Sequence, residues 1–132
     1  MKIATKTRYG LRFMIDLAQH WGEGPQPMRE IADRQEISKK YLEQVVAPLS
    51  ASGLIKVTRG HTGGYELTHS PEEVTLADIM DATEGGLGIL DCLADQQVCD
   101  RADSCVSIKA WAGLQDAMVD YLSSQTLANL MK

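Results

Sequence analysis

The chain has 132 residues, 44% hydrophobic and 23% charged, which fits one ordinary domain that buries about two thirds of its unfolded surface without disulfides. No apolar run approaches the ~18 residues of a membrane span, and Met1 to Lys6 form no signal-like apolar block, so a soluble cytoplasmic protein is expected. The net charge of −5 conceals an asymmetry, since residues 1–65 hold ten Lys or Arg against six Asp or Glu, and residues 66–132 hold three against twelve. A basic half joined to an acidic half points to a polyanion partner for the first half only.

Tyr9, Phe13, Leu17 and Trp21 share one stripe at helical spacing, with Met14 and Ala18 beside it, and predict a core helix over Tyr9 to Trp21. Glycines and prolines at 22–27 make a loop. Met28 to Gln35 reads as a short helix and Glu36-Ile37-Ser38 as a turn, with Ser38 the N-cap of a helix running from Lys39 to about Ser52. Leu42, Val45, Val46 and Leu49 form its buried stripe. Pro48 removes a donor and crowds the preceding turn, so a kink or an early stop near Ala47 is expected.

Leu54 to Thr58 is β-rich, Arg59 to Gly64 holds three glycines, and Tyr65 to Thr68 alternates again, which predicts a hairpin. Thr75 is the expected N-cap of a helix over Leu76 to Thr83, with Leu76, Ile79 and Met80 inward and Asp78 favourable in the first turn. From about Ser104 to Ser124, Ile108, Trp111, Leu114, Met118, Tyr121 and Leu122 step by three and four. That stripe exceeds what one small domain covers, so these six residues are the expected homodimer interface. Thr126 to Met131 adds one terminal turn.

The order helix, helix, helix, hairpin is the plan of a winged helix-turn-helix, a mainly α (α+β) fold with a two-stranded wing, here followed by a long C-terminal dimerisation helix. The expected division is a DNA-binding domain over 1–83, a cysteine-rich loop over 84–105, and the dimerisation helix with its terminal turn over 106–132. In such a fold the start of the second helix of the motif meets base edges and phosphates of duplex DNA. Here those residues are Ser38, Lys39, Lys40, Tyr41, Glu43 and Gln44. The lysines suit phosphates, Gln44 suits adenine, and Glu43 accepts from cytosine. Arg59, His61 and Thr62 on the thin glycine loop suit the minor groove or the backbone. No nucleophile triad, phosphate loop or paired acid and base points to an enzyme.

Cys92, Cys99 and Cys105 lie within one short segment. Three thiols so placed suit a metal centre or a redox switch better than a core. Arg8-Tyr9, Ile31-Ala32-Asp33-Arg34-Gln35-Glu36-Ile37-Ser38, Tyr41-Leu42-Glu43-Gln44 and Arg59-Gly60-x-x-Gly63-Gly64-Tyr65 closely resemble the iron–sulfur cluster regulators, IscR and its relatives in the Rrf-two superfamily. The resemblance covers nearly the whole chain. It implies a homodimeric transcription factor, repressor or activator, that reads a palindromic operator and holds a 2Fe-2S or 4Fe-4S cluster on the three cysteines as a sensor of redox state, nitric oxide or iron supply. The first cysteine gap differs by one residue from the common family spacing. The position of the family's ligand histidine is Ile108, and Arg8 to Arg12 offers no carboxylate or imidazole. The fourth ligand therefore falls to Asp91, Asp95, Asp100, Asp103, Ser107 or an exogenous group. An exchangeable fourth position weighs toward 4Fe-4S over 2Fe-2S. A thiol–disulfide switch, zinc and a clusterless regulator stay open, as does, less favoured by the basic half, a small iron–sulfur carrier.

Overall fold

The computed structural model describes residues 2–132. Among the described residues are seven α-helices, α1 (Thr5–Gln19), α2 (Met28–Gln35), α3 (Lys39–Ala51), α4 (Leu76–Glu84), α5 (Asp91–Ala94), α6 (Ile108–Ser124) and α7 (Leu127–Leu130), and one hairpin, β1 (Ile55–Thr58) and β2 (Gly64–Leu67). The strands pair antiparallel with Ile55 opposite Leu67 and Thr58 opposite Gly64. α1, α3 and α4 pack on one another and α2 closes the side of α1 and α3. Phe13, Met14, Ile31, Leu42, Leu49 and Ile79 are fully buried between them. The winged helix-turn-helix is present, and no helix among the described residues is long and apolar enough to cross a membrane.

α1 starts four residues before the apolar stripe does. Ala4 supplies no side-chain cap. Its backbone N–H donates instead to Glu84 Oε1 at 3.2 Å, and Thr7 Oγ1 donates to the same oxygen at 2.6 Å, so the end of α4 caps the start of α1. The helices approach closely at Gly10, where a Cβ would meet Thr83 Cγ2 at 3.3 Å and Val45 Cγ1 at 3.5 Å. Trp21 does not join the core. α1 ends at Gln19, the chain turns through His20, and Trp21 is 48% exposed; once the helix stops, the four-residue spacing no longer carries the stripe.

α2 and α3 have the expected bounds. Glu36 between them is left-handed at φ 56°, ψ 44°, unusual for a residue with a side chain, and caps α2. Ser38 Oγ accepts from Tyr41 N–H at 3.1 Å and caps α3. Pro48 neither stops α3 nor splits it, since the helix runs unbroken to Ala51. The carbonyl that Pro48 leaves without a donor belongs to Gln44, an exposed residue, and an interior proline costs less where water can reach such a carbonyl.

α4 starts at a full capping box, Thr75 Oγ1 accepting from Asp78 N–H at 3.1 Å and Asp78 Oδ2 from Thr75 N–H at 2.9 Å. Ala77 takes the buried place expected of Leu76, which is half-buried. The terminal turn α7 is capped by Thr126, packs on α1, and buries Leu127 completely. Residues 126–131, grouped by chain order with the long helix, thus belong by packing to the winged helix.

Candidate nucleic-acid interface and cysteine segment

α3 has two faces. Leu42, Val45, Val46 and Leu49 are buried, while Lys39, Lys40, Glu43 and Gln44 are exposed on the other side. That separation follows from helical periodicity and leaves polar side chains of the right kinds for base edges without hydrogen-bond or ion-pair partners among the described residues. Ser38 is exposed, with its hydroxyl engaged in the cap. Tyr41 is half-buried and meets Tyr9 of α1 edge-on, centroids 5.4 Å apart. Arg8 and Arg12 lie over the Tyr9 ring at 5.9 and 5.5 Å. Their cationic heads therefore flank the start of α3, an addition to the basic surface that spacing within α3 did not reveal. In the wing, Arg59, His61 and Thr62 are exposed at the tip. Lys56 and Glu66 pair across its strands at 3.9 Å.

A buried polar group ties this interface together. Asp16, 1% exposed, accepts from Arg34 Nε at 3.0 Å, from Arg34 Nη2 at 2.7 Å and from Gln35 Nε2 at 3.0 Å. The Arg34 guanidinium, hydrogen-bonded to Asp16, titrates above its ordinary range. Arg12 donates to the Gln35 carbonyl and to its side chain. The family resemblance includes Arg34 and Gln35, but sequence reasoning gave them no role and passed over Asp16, although a carboxylate among Phe13, Met14, Leu17 and Ala18 on a buried helix face is a signal for a paired buried charge.

α6 packs on α4, and Leu122 is its one buried residue among those described. Trp111, Leu114 and Tyr121 stay 45%, 39% and 60% exposed, while Ile108 and Met118 are half-buried. Between α6, the end of α4 and the 86–90 turn runs an apolar groove of about 550 Å³, walled by Met80, Leu87, Trp111, Leu114, Met118 and Leu122. Ile89 N–H donates to Gln115 Oε1 at 3.1 Å and fixes the turn to α6.

The three free cysteines occupy separate turns. Cys92 is half-buried on α5, Cys99 is exposed after a short 3-10 turn, and Cys105 is half-buried before α6. Cys99 shares a shallow cleft with Asp95, Asp100 and Asp103. Asp95 Oδ1 also accepts from Gln97 N–H at 2.9 Å. Asp91 is exposed in the first turn of α5. Among the described residues no three His, Cys, Asp or Glu side chains converge as a metal site. The donor set still matches a thiophilic group in kind, with three thiols plus carboxylates and a hydroxyl on one short segment.

Cys105 Sγ lies 3.1 Å from Ser107 Oγ. The Ser107 hydroxyl, with the backbone N–H groups of Ser107 and Ile108, stabilises the thiolate and lowers the Cys105 pKa from its ordinary value. Iodoacetamide labelling of Cys105, followed by peptide mass spectrometry, is expected to reach half its limiting rate below the ordinary thiol pH of about 8.5. In Ser107→Ala that midpoint moves up, because the donor that favours the charged form is gone.

The chain matches the Rrf2 family, described as an iron-dependent transcriptional regulator, over residues 3–132. It is 41% identical to the HTH-type transcriptional regulator CymR of Bacillus subtilis over 98% of this chain and 89% of that one. It is 34% identical to the regulator IscR of Pectobacterium carotovorum over 99% of this chain and 79% of that one. Among solved structures, CymR, the global cysteine regulator of B. subtilis, superposes with a TM-score of 0.81 at 40% identity, covering 99% of this chain and 96% of that chain. IscR of T. potens superposes with a TM-score of 0.79 at 37% identity, covering 99% and 86%. On this match of sequence and fold along its whole length, the chain belongs to the Rrf2 family of DNA-binding transcriptional regulators.

Proposed function

We propose that the protein works as a homodimer that grips a palindromic DNA operator and lets the chemistry of its cysteine segment set how well it does so. The observation that carries this reading is the division of surface. The polar face of α3, from Ser38 to Gln44, and the wing tip, from Arg59 to Thr62, both lie in the basic half, while an apolar groove runs along α6. α3 enters the major groove and the wing reaches the minor groove or backbone. A second copy's α6 covers Trp111, Leu114 and Tyr121, and the two recognition helices then stand about one DNA turn, ~34 Å, apart.

Cys92, Cys99 and Cys105 would hold an iron–sulfur group, with Ser107 or one of Asp91, Asp95, Asp100 and Asp103 as a fourth ligand. Bound there, such a cluster supplies electron transfer and an iron position open to oxygen, nitric oxide or iron loss. The segment's own part is mechanical. Residues 85–107 join α4 to α6, so whatever orders them fixes α6 against α4, and hence the spacing of the reading heads. As repressor or activator, the protein changes operator occupancy when that order is lost.

A second reading is favoured by the dispersal of the three sulfurs and the stabilised Cys105 thiolate. In it the segment responds as free thiols without a cluster. Anaerobic purification with visible absorption, iron and sulfide analysis separates the two. A coloured protein with about one cluster per chain supports the first, and a colourless protein supports the second. Operator titration over a salt series tests both, with log K expected to fall by about 0.9 per phosphate contact against log salt. Equal affinity of cluster-loaded and cluster-free protein removes the gating.

A further inference from the structure

The outer edge of β2 is occupied by the loop before α2. Gln26 N–H donates to Tyr65 O at 3.0 Å and Tyr65 N–H donates to Gln26 O at 2.9 Å. A Cβ on Gly64 would stand 2.4 Å from the Gln26 carbonyl carbon and oxygen, so only glycine admits this approach. The Gln26 side chain is buried beneath the wing. Its Oε1 accepts from Arg34 Nη2 at 3.1 Å and its Nε2 donates to Gly24 O at 3.3 Å. The same guanidinium forks onto Asp16 of α1. One side chain on the second helix of the fold thus holds α1 on one side and, through Gln26, the tip end of strand β2 at Tyr65 on the other. Tyr65 adds an edge-on contact with Phe13 at 5.7 Å.

We infer that Gln26 and Arg34 are positioning residues for DNA recognition. They fix where the wing tip, Arg59 to Thr62, stands relative to α3, and so set the spacing of two contacts that one duplex must satisfy together. This rests on the reading above that the wing meets DNA. An isolated two-stranded hairpin is marginally stable and free to twist. Pairing with Gln26, anchored through Arg34, removes that freedom before DNA arrives, and preorganisation of this kind raises affinity by cutting the cost of ordering on binding.

The test is a set of mutant cycles on the full-length protein. The probe is a duplex recovered by that protein from a randomised pool, and the readout is fluorescence anisotropy. Gln26→Leu keeps the volume and leaves the Asp16–Arg34 pair intact. It is expected to weaken binding about five- to tenfold in the wild type and in Gln44→Ala. In Arg59→Ala, where the wing no longer has its main contact, the same change is expected to cost less than about twofold. Hydroxyl-radical protection of the sugars under the wing is lost in Gln26→Leu, while protection of guanine N7 in the major groove from dimethyl sulfate remains. If Gln26→Leu fails to fold, Arg34→Lys, which keeps the charge but not the fork, runs the same three backgrounds. No loss in the wild type, or an equal loss in all three backgrounds, overturns the inference. Should Arg59→Ala alone leave affinity unchanged, the wing reading fails and takes the inference with it.

Discussion

Arg34→Met is expected to destabilise the protein by about 3–5 kcal/mol, a fall in Tm of roughly 10–20 °C for a chain of this size. The reason lies in which partner is stranded. Asp16 is 1% exposed, whereas the Arg34 side chain is 33% exposed. Removing the arginine leaves a carboxylate in a core of Phe13, Met14 and Leu17 with, among the described residues, Gln35 Nε2 as its remaining side-chain hydrogen-bond donor and His20 Nδ1 3.6 Å away. Removing the aspartate leaves a guanidinium that reaches water, so Asp16→Ala is expected to cost less, about 2–3 kcal/mol. The double change Asp16→Leu/Arg34→Met recovers much of the loss, because two apolar side chains need no partner. Urea unfolding with a constant m-value reads all three. An Arg34→Met protein no less stable than Asp16→Ala would sink the argument.

The same pair shows what the sequence made legible and what it did not. Local grammar was readable. Ser38 and Thr75 were recognisable as caps, and both cap. The glycines of 60–64 marked the hairpin turn between Ile55–Thr58 and Gly64–Leu67. Helical spacing separated Leu42, Val45, Val46 and Leu49 from the exposed Glu43 and Gln44. Each of these signals sits within four residues of what it decides. The misses share the opposite property. The start of α1 is capped by Glu84, 80 residues from Ala4. Asp16 finds Arg34 at a separation of 18. Gln26 becomes a strand partner through backbone groups, which carry no sequence signature. α6 begins at Ile108 and not near Ser104, and the side chain at its N-cap, Ser107, makes no capping bond and lies instead against Cys105. For the cysteines, spacing identified the chemical kind of the segment, but convergence of three sulfurs is a tertiary matter that Cys-x6-Cys-x5-Cys does not determine.

Leu114→Glu combined with Trp111→Glu is expected to leave the chain folded, to convert a dimer into a 14.5 kDa monomer, and to weaken operator binding by about 10²–10⁴-fold. Both side chains are exposed within their own chain, so charging them costs the isolated subunit little. Leu122, buried at 8%, is the position to leave alone, because a charge there breaks the contact of α6 with α4. In the proposed dimer a second α6 covers Trp111 and Leu114 in a desolvated apolar seam, where two carboxylates per chain would be expensive to bury and would repel across the twofold axis. The loss in DNA binding follows from geometry, not from any change in α3. A dimer engages its second half-site at high effective concentration, and a monomer must bind each half-site alone. Multi-angle light scattering gives the mass, a thermal melt checks the fold, and anisotropy against single and paired half-sites gives the affinities. The single half-site is expected to bind wild type and variant alike, with only the paired site telling them apart. A variant that stays dimeric would show that α6 is not the seam. A monomer that still binds the paired site at full strength would show that the two reading heads never needed to be joined.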